Sequence, residues 1–267
     1  MKKLLSSVFI VLFTISSFSQ DVFLVNDSRE KSEKIALVIL NGFGDSKKNR
    51  KKQKKFFENK GYDLFIPEYI ERESINKSIK TFSIFYENQQ LNNYKEVKFL
   101  CYIIGGYVLN KYIEENGKGN ISTIIYDRSP TQERAPQTAV KKLPFISKLI
   151  YGKVLKDFSI KEKRGLSEDK GLSVGVIIEN KATKLMRFYK KTADSYGEYN
   201  YNAKSIEPNL DDWFHTFLDH DQMYVRFDII GEEILYFLNN GVFTQNARRI
   251  PYEWDPFQKL KKNDFNL

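Results

Sequence analysis

The residue types that carry out acid–base and nucleophilic chemistry are scarce in this chain of 267 residues. There are two histidines, His215 and His220, and one cysteine, Cys101. A histidine beside a hydroxyl or thiol can act as a general base in acyl transfer, because its pKa lies near neutrality. Two imidazoles and one thiol are too few for a structural zinc cluster. The sequence therefore predicts no metal and no cofactor.

His220 lies in the pattern Asp219-His220-Asp221, directly after an apolar strand pattern. Two interpretations are open: a catalytic base, or a hydrogen-bonded histidine of a loop. The neighbouring carboxylates could form an acid pair or a cation site, but short acidic clusters are more often caps and turns. His215, in the middle of the strand, is predicted to be packed and hydrogen-bonded. Cys101 is predicted to be a small buried side chain, because it lies within an apolar strand.

A strand-turn-helix corner is the most informative segment of the chain. An apolar strand leads through Tyr102-Ile103-Ile104 into Gly105-Gly106, and an apolar helix follows at once. Such a corner can hold a nucleophile at the sharp turn between strand and helix. Counting back from Gly105, that position is Ile103, and a hydrocarbon cannot attack a carbonyl.

The backbone at this corner can also be predicted. A β-branched residue is strained at positive φ, because its two γ-carbons crowd the backbone. Ile103 is therefore predicted to have negative φ, with Gly105 or Gly106 taking any unusual dihedral. Cys101, Ile103 and Ile104 should then pack as core and narrow the cleft.

Alternating strand and helix patterns surround the corner and indicate an α/β fold with a mostly parallel, twisted sheet and helices on both faces. The predicted strands are Ile35–Leu40, Tyr62–Pro67, Val97–Leu100, Ile121–Tyr126, Leu172–Ile178 and Trp213–Leu218. Helical patterns cover 47–59, 73–91, 143–155, 225–239 and the segment from the corner to Gly117. We predict one domain over residues 20–243, with a cap-like or irregular insertion at about 128–170 and a polar C-terminal tail over 244–267.

The first nineteen residues have the pattern of a secretory signal peptide. Lys2 and Lys3 precede an apolar run from Leu4 to Phe18, and small residues mark a cleavage site after Ser19. Export to the periplasm or the extracellular space is therefore predicted. The rest of the chain has no apolar run long enough for a transmembrane segment.

The formal net charge is +9, and much of the excess lies in one predicted helix. Two interpretations are open: a solvated helix face, or contact with anionic lipid or polysaccharide at a cell surface. Binding of nucleic acid is not predicted, because the chain has no motif that alternates aromatic and basic residues. The basic residues are Lys47, Lys48, Arg50, Lys51, Lys52, Lys54 and Lys55.

Three segments together resemble the α/β-hydrolase superfamily, specifically its lipase/esterase-like branch. They are Asn41-Gly42-Phe43-Gly44, Tyr102-Ile103-Ile104-Gly105-Gly106, and the last strand followed by His220. The resemblance spans about residues 34–243 and implies the three-layer α/β-hydrolase fold.

The resemblance also implies site positions. The backbone N–H groups of Phe43 and Ile104 would form the oxyanion hole, and Asn41 stands where the family has a histidine. Ile103 replaces the nucleophilic serine, and His220 is retained as the base. The acid is expected around residues 194–198, with Tyr196 at its position.

Two functional hypotheses follow. In the first, the chain is a pseudoenzyme that binds a lipid-like or acyl ligand or a partner protein. The alternative is an active ester or lipid hydrolase, of the carboxylic-ester kind, with a displaced nucleophile acting with His220. Its candidates are Cys101, Ser83, Ser129 and Thr131. A hydroxyl or thiol within about 3–4 Å of an imidazole nitrogen, with an acid behind the ring, would favour the enzyme.

Overall fold

A computed structural model of the chain describes residues 22–25, 28–163, 165–166, 168 and 170–259. The predicted signal peptide lies outside these residues, as does the end of the predicted tail. The described chain contains a sheet of seven strands. They are β1 (Val22–Leu24), β2 (Ile35–Leu40), β3 (Tyr62–Ile66), β4 (Glu96–Tyr102), β5 (Ile121–Arg128), β6 (Ser173–Lys181) and β7 (Asp212–Asp219).

The strand order across the sheet is β1-β3-β2-β4-β5-β6-β7. Strand β1 is antiparallel to β3, and all other neighbours are parallel. The chain moves outward from β2 to β3 and then returns to β4 on the other side of β2. The order therefore reverses between β2 and β4, and in open α/β sheets ligands bind at the carboxyl ends of the strands beside such a reversal.

Helices cover both faces of the sheet because the central strands bury both of their faces. One core joins the sheet to the second, third and sixth helices, and the other joins it to the first and last. The helices are α1 (Lys47–Phe57), α2 (Ile75–Asn88), α3 (Ile103–Asn116), α4 (Ala135–Lys142), α5 (Pro144–Tyr151), α6 (Val154–Ser159), α7 (Lys184–Phe188), α8 (Lys190–Asp194), α9 (Ala203–Ile206), α10 (His220–Met223) and α11 (Phe227–Asn240). The predicted three-layer α/β architecture is confirmed.

The corner between β4 and α3 has ordinary backbone geometry. Among the described residues other than glycine, only Asn59 and Gln90 have positive φ, so the predicted negative φ of Ile103 is confirmed. Gly105 and Gly106 do not have positive φ either, so no residue of the corner has an unusual backbone dihedral. The corner has relaxed into the first turn of a normal helix.

The insertion after β5 consists of helices α4, α5 and α6. The prediction of a single helix over 143–155 is wrong, because the first helix ends before Gly152 and a second begins at Val154. This glycine has φ +72°, and a Cβ there would lie 2.3 Å from the carbonyl oxygen of Arg72. Only glycine allows both the left-handed backbone and this close approach.

The described part of the predicted tail, as far as residue 259, packs beside β6 and β7. The backbone N–H of His215 donates to the carbonyl of Arg248, and the Trp254 indole donates to the carbonyl of Asn180. Within the described part of the chain, none of the helices combines the length and the apolar character that crossing a bilayer requires.

Candidate active site

Three adjacent strands place polar side chains on one face of the sheet at their carboxyl ends. The register pairs Tyr102 of β4 with Asp127 of β5, and Asp127 with Ile177 of β6. Glu179 follows Ile177 by two residues and therefore points to the same side as Asp127. Both carboxylates are buried. The parallel sheet thus brings together two acids that are 52 residues apart in the chain.

The short helix α10 adds His220 to these acids. Asp219 caps the helix by accepting from the Gln222 backbone, and the Gln222 side chain accepts from the Asp219 backbone in return. This cap holds the buried His220 over the ends of β5 and β6. The imidazole Nδ1 lies 2.6 Å from Glu179 Oε1 and 3.5 Å from Asp127 Oδ2.

Tyr224 occupies the other side of the imidazole. Tyr224 is four positions after His220, and this spacing places the two side chains on one helical face. Its hydroxyl lies 3.3 Å from His220 Nε2 and accepts from the backbone N–H of Gly42 at 3.2 Å. Its ring stacks on Tyr102, with centroids 4.1 Å apart and planes at 11°. Tyr224 is 0% exposed, so protein atoms fill this position completely.

The electrostatics favour protons in this cluster. Burial lowers the pKa of His220, but the Glu179 and Asp127 carboxylates outweigh it and hold the pKa well above its usual range. Burial and repulsion from Asp127 raise the pKa of Glu179 well above its usual range, against the attraction of His220. Glu179 and His220 therefore form one hydrogen-bonded acid–imidazole pair whose protons are shared between the two groups.

Asp127, Glu179 and His220 are also the residues that could hold a metal ion. Their ligand atoms all lie within 4.8 Å of one another. The 2.6 Å between His220 Nδ1 and Glu179 Oε1 is a charge-assisted hydrogen-bond distance. Two ligands of one zinc ion, each about 2.0–2.2 Å from the metal, would stand farther apart than this. The arrangement is therefore that of a hydrogen-bonded acid–imidazole pair with a second acid beside it.

The oxyanion hole expected at the backbone N–H groups of Phe43 and Ile104 stays a prediction. The N–H that meets the site is that of Gly42, and Tyr224 occupies it. Phe43 packs its ring against Tyr151 and Phe158, at centroid distances of 5.3 and 5.9 Å. The buried Asn41 side chain exchanges two hydrogen bonds with Gln53, at 2.7 and 3.0 Å. Because Tyr224 accepts from the Gly42 N–H, this N–H is not available to a substrate carbonyl oxygen.

Tyr196 does not lie at the acid position. It is partly exposed, and its hydroxyl donates to the carbonyl of Gln137 at 3.3 Å. Glu179 stands behind the imidazole instead. The sequence carried a signal for it, because Glu179 is the first ionisable residue after the apolar run Val174–Ile178. Asp127 follows the apolar run of β5 in the same way.

Other predicted residues lie where the sequence indicated. Ile103, Ile104 and Cys101 are buried in the core on the α3 side of the sheet. His215 is buried, and its Nδ1 lies 3.0 Å from the side-chain nitrogen of Asn180. Burial, and to a smaller extent the positive charge of Arg248, lower the pKa of His215 to about 4. Its packed, hydrogen-bonded role is confirmed.

The displaced nucleophiles lie away from the imidazole. Ser83 donates to the carbonyl of Ile79 in α2, and the buried Ser129 and Thr131 hydroxyls lie 3.3 Å from each other. Burial raises the pKa of the Cys101 thiol well above its usual range. The imidazole nitrogens are occupied by Glu179, Asp127 and Tyr224.

The basic residues of α1 are split by burial. The prediction that Arg50 lies on the surface is wrong. Arg50 is buried, and its guanidinium donates hydrogen bonds to Asp45 and to the carbonyls of Ile66 and Pro67. It is part of the packing between α1 and β3. The six lysines are exposed: Lys47, Lys48, Lys51, Lys52, Lys54 and Lys55.

A separate open groove of about 1180 Å³ lies between α3, the end of the insertion and the loop after α8. Its walls combine charged side chains, among them Lys111, Arg128 and Glu133, with apolar ones such as Tyr107 and Ile160. None of the residues around the imidazole lines it.

Several solved structures share this architecture. One is MGS-MChE2, an α/β-hydrolase enzyme from the metagenome of lagoon sediments of Mar Chica, Morocco. It has 15% sequence identity and a TM-score of 0.51 over 84% of this chain and 97% of that one. Est1E from Butyrivibrio proteoclasticus has 8% identity and a TM-score of 0.51 over 84% and 99%.

A structure of a novel epoxide hydrolase of the α/β-hydrolase superfamily, from metagenomes of hot environments, has 10% identity and a TM-score of 0.50 over 82% of this chain and 93% of that one. No protein-family model matches the sequence, and no curated protein matches it significantly. Strand order, buried helices on both faces and these likenesses agree. The chain has the α/β-hydrolase fold.

Proposed function

We propose that this protein is a catalytically degenerate α/β-hydrolase-like protein that acts by binding a ligand or a partner. The observation that carries the proposal is the buried hydroxyl of Tyr224, which contacts both His220 Nε2 and the Gly42 N–H. An acyl-transfer site needs the first group for its nucleophile and the second for the oxyanion. Here one immobile phenol occupies both.

Two further features support the proposal. The corner residue is Ile103, which has no atom that can attack a carbonyl. Within the described residues, no serine or threonine hydroxyl and no cysteine thiol forms a hydrogen bond with the imidazole of His220. Each of these features alone would impair acyl transfer.

One observation favours the alternative, an active hydrolase of the ester-cleaving kind. Glu179, His220 and Tyr224 lie in the same order as an acid, a base and a nucleophile, with contacts of 2.6 and 3.3 Å. Against it, Tyr224 is fully buried and stacked, and burial raises the pKa of its hydroxyl well above the usual range, with Tyr102 adding to the rise. A substrate cannot reach this oxygen without displacing the ring.

Turnover of short- and medium-chain p-nitrophenyl esters separates the two functions. We expect the wild type, His220→Ala and Tyr224→Phe to hydrolyse these esters at the same rate, equal to that of buffer with an unrelated protein. The reason is that no accessible nucleophile meets the imidazole. Ile103→Ser serves as the probe for a disarmed site, and activity confined to it would support the degenerate interpretation. Wild-type turnover that is lost in both His220→Ala and Tyr224→Phe would establish the enzyme instead.

One candidate site for the ligand of the binding hypothesis is the groove beside α3. Its walls combine charged and apolar side chains, which suits a ligand that has both polar and apolar parts. Arg128 is held in its wall by Glu133, at 2.7 Å, and by the carbonyls of Ile206 and Lys163. Glu133 neutralises this guanidinium, so the pair gives the groove a fixed polar wall.

Export remains part of the proposal. Strand β1 begins at Val22, so cleavage after Ser19 would leave the sheet intact. We expect the protein recovered from the periplasm or the medium to begin at Gln20, as measured by N-terminal sequencing or intact mass. A chain that keeps Met1 and stays in the cytoplasm would contradict export.

A further inference from the structure

Helix α5 exposes two large apolar side chains to solvent. Phe145 and Leu149 are 77% and 63% exposed, and the four-residue spacing puts them on one helical face. The one residue of α5 that is buried is Ser147. A surface helix normally buries its apolar face and exposes its polar one. Here a large apolar pair stands in solvent at the outer side of the insertion.

The chain segment around this apolar pair is basic, and the acids near it in the fold include Glu71 and Glu73, on either side of Arg72. Residues 141–156 contain five lysines and no aspartate or glutamate. All five are exposed, and none forms an ion pair with any residue in the described part of the chain. The lysines are Lys141, Lys142, Lys148, Lys153 and Lys156. Elsewhere on the surface, exposed lysines such as Lys77, Lys111 and Lys190 do pair with nearby carboxylates.

The fold presents α5 in a fixed orientation. The Arg72 guanidinium donates to the carbonyl of Leu149 at 2.6 Å, and the backbone N–H of Lys153 donates to the carbonyl of Arg72 at 2.8 Å. Gly152 lies directly against the Arg72 backbone. The ring of Tyr151 packs edge-on against Phe43. The exposed pair is therefore displayed by a braced helix.

We propose that α5 docks the protein on an anionic lipid surface. Phe145 and Leu149 would enter the boundary between headgroups and acyl chains, and Lys148 within the same helix and Lys153 just after it would contact the anionic headgroups. A helix of eight residues is about 12 Å long, so it would lie in the plane of the surface and not cross it. This docking does not depend on the loss of catalysis. It also differs from an anionic contact of the α1 lysines, which have no comparable exposed apolar pair within their helix.

Co-flotation of the full chain with vesicles tests the proposal. Phosphatidylcholine vesicles are compared with vesicles that also contain about 30 mol% phosphatidylglycerol. The apolar N-terminal run and the lysines before it are common to every sample, so the comparison of the wild type with the α5 variants isolates the contribution of α5. We expect binding to the anionic vesicles to exceed binding to the neutral ones by about tenfold, and the excess to vanish at about 0.5 M salt.

Two variants of α5 separate its apolar and charged parts. Phe145→Ser with Leu149→Ser, and Lys148→Gln with Lys153→Gln, should each lower the excess binding by about fivefold. All four side chains are exposed, so the folding transition should keep its midpoint. The matched controls are Phe188→Ser, an equally exposed phenylalanine on α7, and Lys51→Gln with Lys54→Gln on α1. Neither control should change binding.

Three results would overturn the proposal. Equal binding to neutral and anionic vesicles would remove the role of charge. Loss of binding in the α1 control with retention in both α5 variants would assign the contact to α1. Concentration-dependent dimerisation that is abolished by Phe145→Ser with Leu149→Ser, without vesicle binding by the wild type, would assign the face to a second copy of the chain.

Discussion

Tyr224 changes what the retained histidine can do. In an acyl-transfer site the imidazole Nε2 faces a nucleophile that a substrate can reach. Here Nε2 faces a phenol that is fully buried, stacked on Tyr102 and bonded to the Gly42 N–H. The polar atoms of the site satisfy one another. We infer that His220, Tyr224 and Glu179 now serve the packing of the carboxyl edge of the sheet.

The second acid, Asp127, makes this cluster sensitive to pH. Both oxygens of Asp127 are buried without a hydrogen-bond partner among the described residues, and so is Glu179 Oε2. With both acids ionised and the imidazole protonated, the buried cluster carries one surplus negative charge. Such a charge is costly in a desolvated site, so the folded state retains protons that the unfolded chain releases.

The sign of the pH dependence follows from the raised pKa values of Glu179 and His220. A group whose folded pKa is raised stabilises the fold below its unfolded pKa, and this stabilisation is lost as the pH rises through the folded value. For His220 the loss begins above its usual value of about 6.5. We expect the free energy of unfolding to fall between about pH 6 and pH 9, and the fall to be about 1 kcal/mol smaller in Asp127→Asn.

Urea unfolding of the wild type and Asp127→Asn across this range measures the difference. Asp221→Asn is the matched control, because it removes the same charge one residue from His220 but at an exposed position. Parallel pH profiles for Asp127→Asn and the wild type would show that the second acid has no effect on proton binding in the fold.

Individual residues of the site were only partly predictable from the sequence. Ile103 and His220 could be located because one stands before paired glycines and the other follows the last apolar strand. Glu179 and Asp127 were missed, although each ends an apolar run, because only the strand register shows that they share a face. Tyr224 was missed because its role depends on where helix α10 points.

At the scale of elements, the paired glycines persist without a nucleophile because they allow helix α3 to approach the sheet. A Cβ at Gly105 would lie 2.3 Å from the carbonyl oxygen of Leu40 in β2. A Cβ at Gly106 would lie 2.9 Å from the ring of Tyr126 in β5. The corner therefore has a packing role that is independent of chemistry.

Gly105→Ala should destabilise the fold strongly. The added methyl group meets a backbone oxygen that cannot move without disturbing β2, so we expect the free energy of unfolding to fall by about 3 kcal/mol. Glu115→Ala on the exposed side of the same helix should change it by less than about 0.5 kcal/mol. Denaturant unfolding compares the two. Similar small effects for both would mean that α3 can shift away from β2 and that the contact is not tight.

Helices and strands were predictable where periodicity was strong. The two faces of the sheet alternate in sequence, and the buried residues of the central strands divide between two cores accordingly. The break at Gly152 was not predictable, because it depends on Arg72, a residue 80 positions earlier. Arg50 was assigned to the surface because its basic neighbours hide its buried contacts with Asp45.

At the scale of the whole molecule, the α/β-hydrolase fold could be predicted because alternating strand and helix patterns leave few topologies. Function did not follow from the fold, since function resides in particular sites. The carboxyl edge holds a closed polar cluster, the groove beside α3 is open with charged and apolar walls, and α5 exposes an apolar pair beside lysines. Binding at the last two surfaces would not depend on chemistry at the first.

The central claim is that no accessible nucleophile meets the imidazole of His220. It is tested most directly by incubating the folded protein with a fluorophosphonate, which labels activated hydroxyl and thiol nucleophiles covalently, and measuring the intact mass. We predict that the wild type acquires no adduct that is absent from His220→Ala. An adduct on Tyr224, or on any serine, threonine or cysteine, that disappears in His220→Ala would contradict the account.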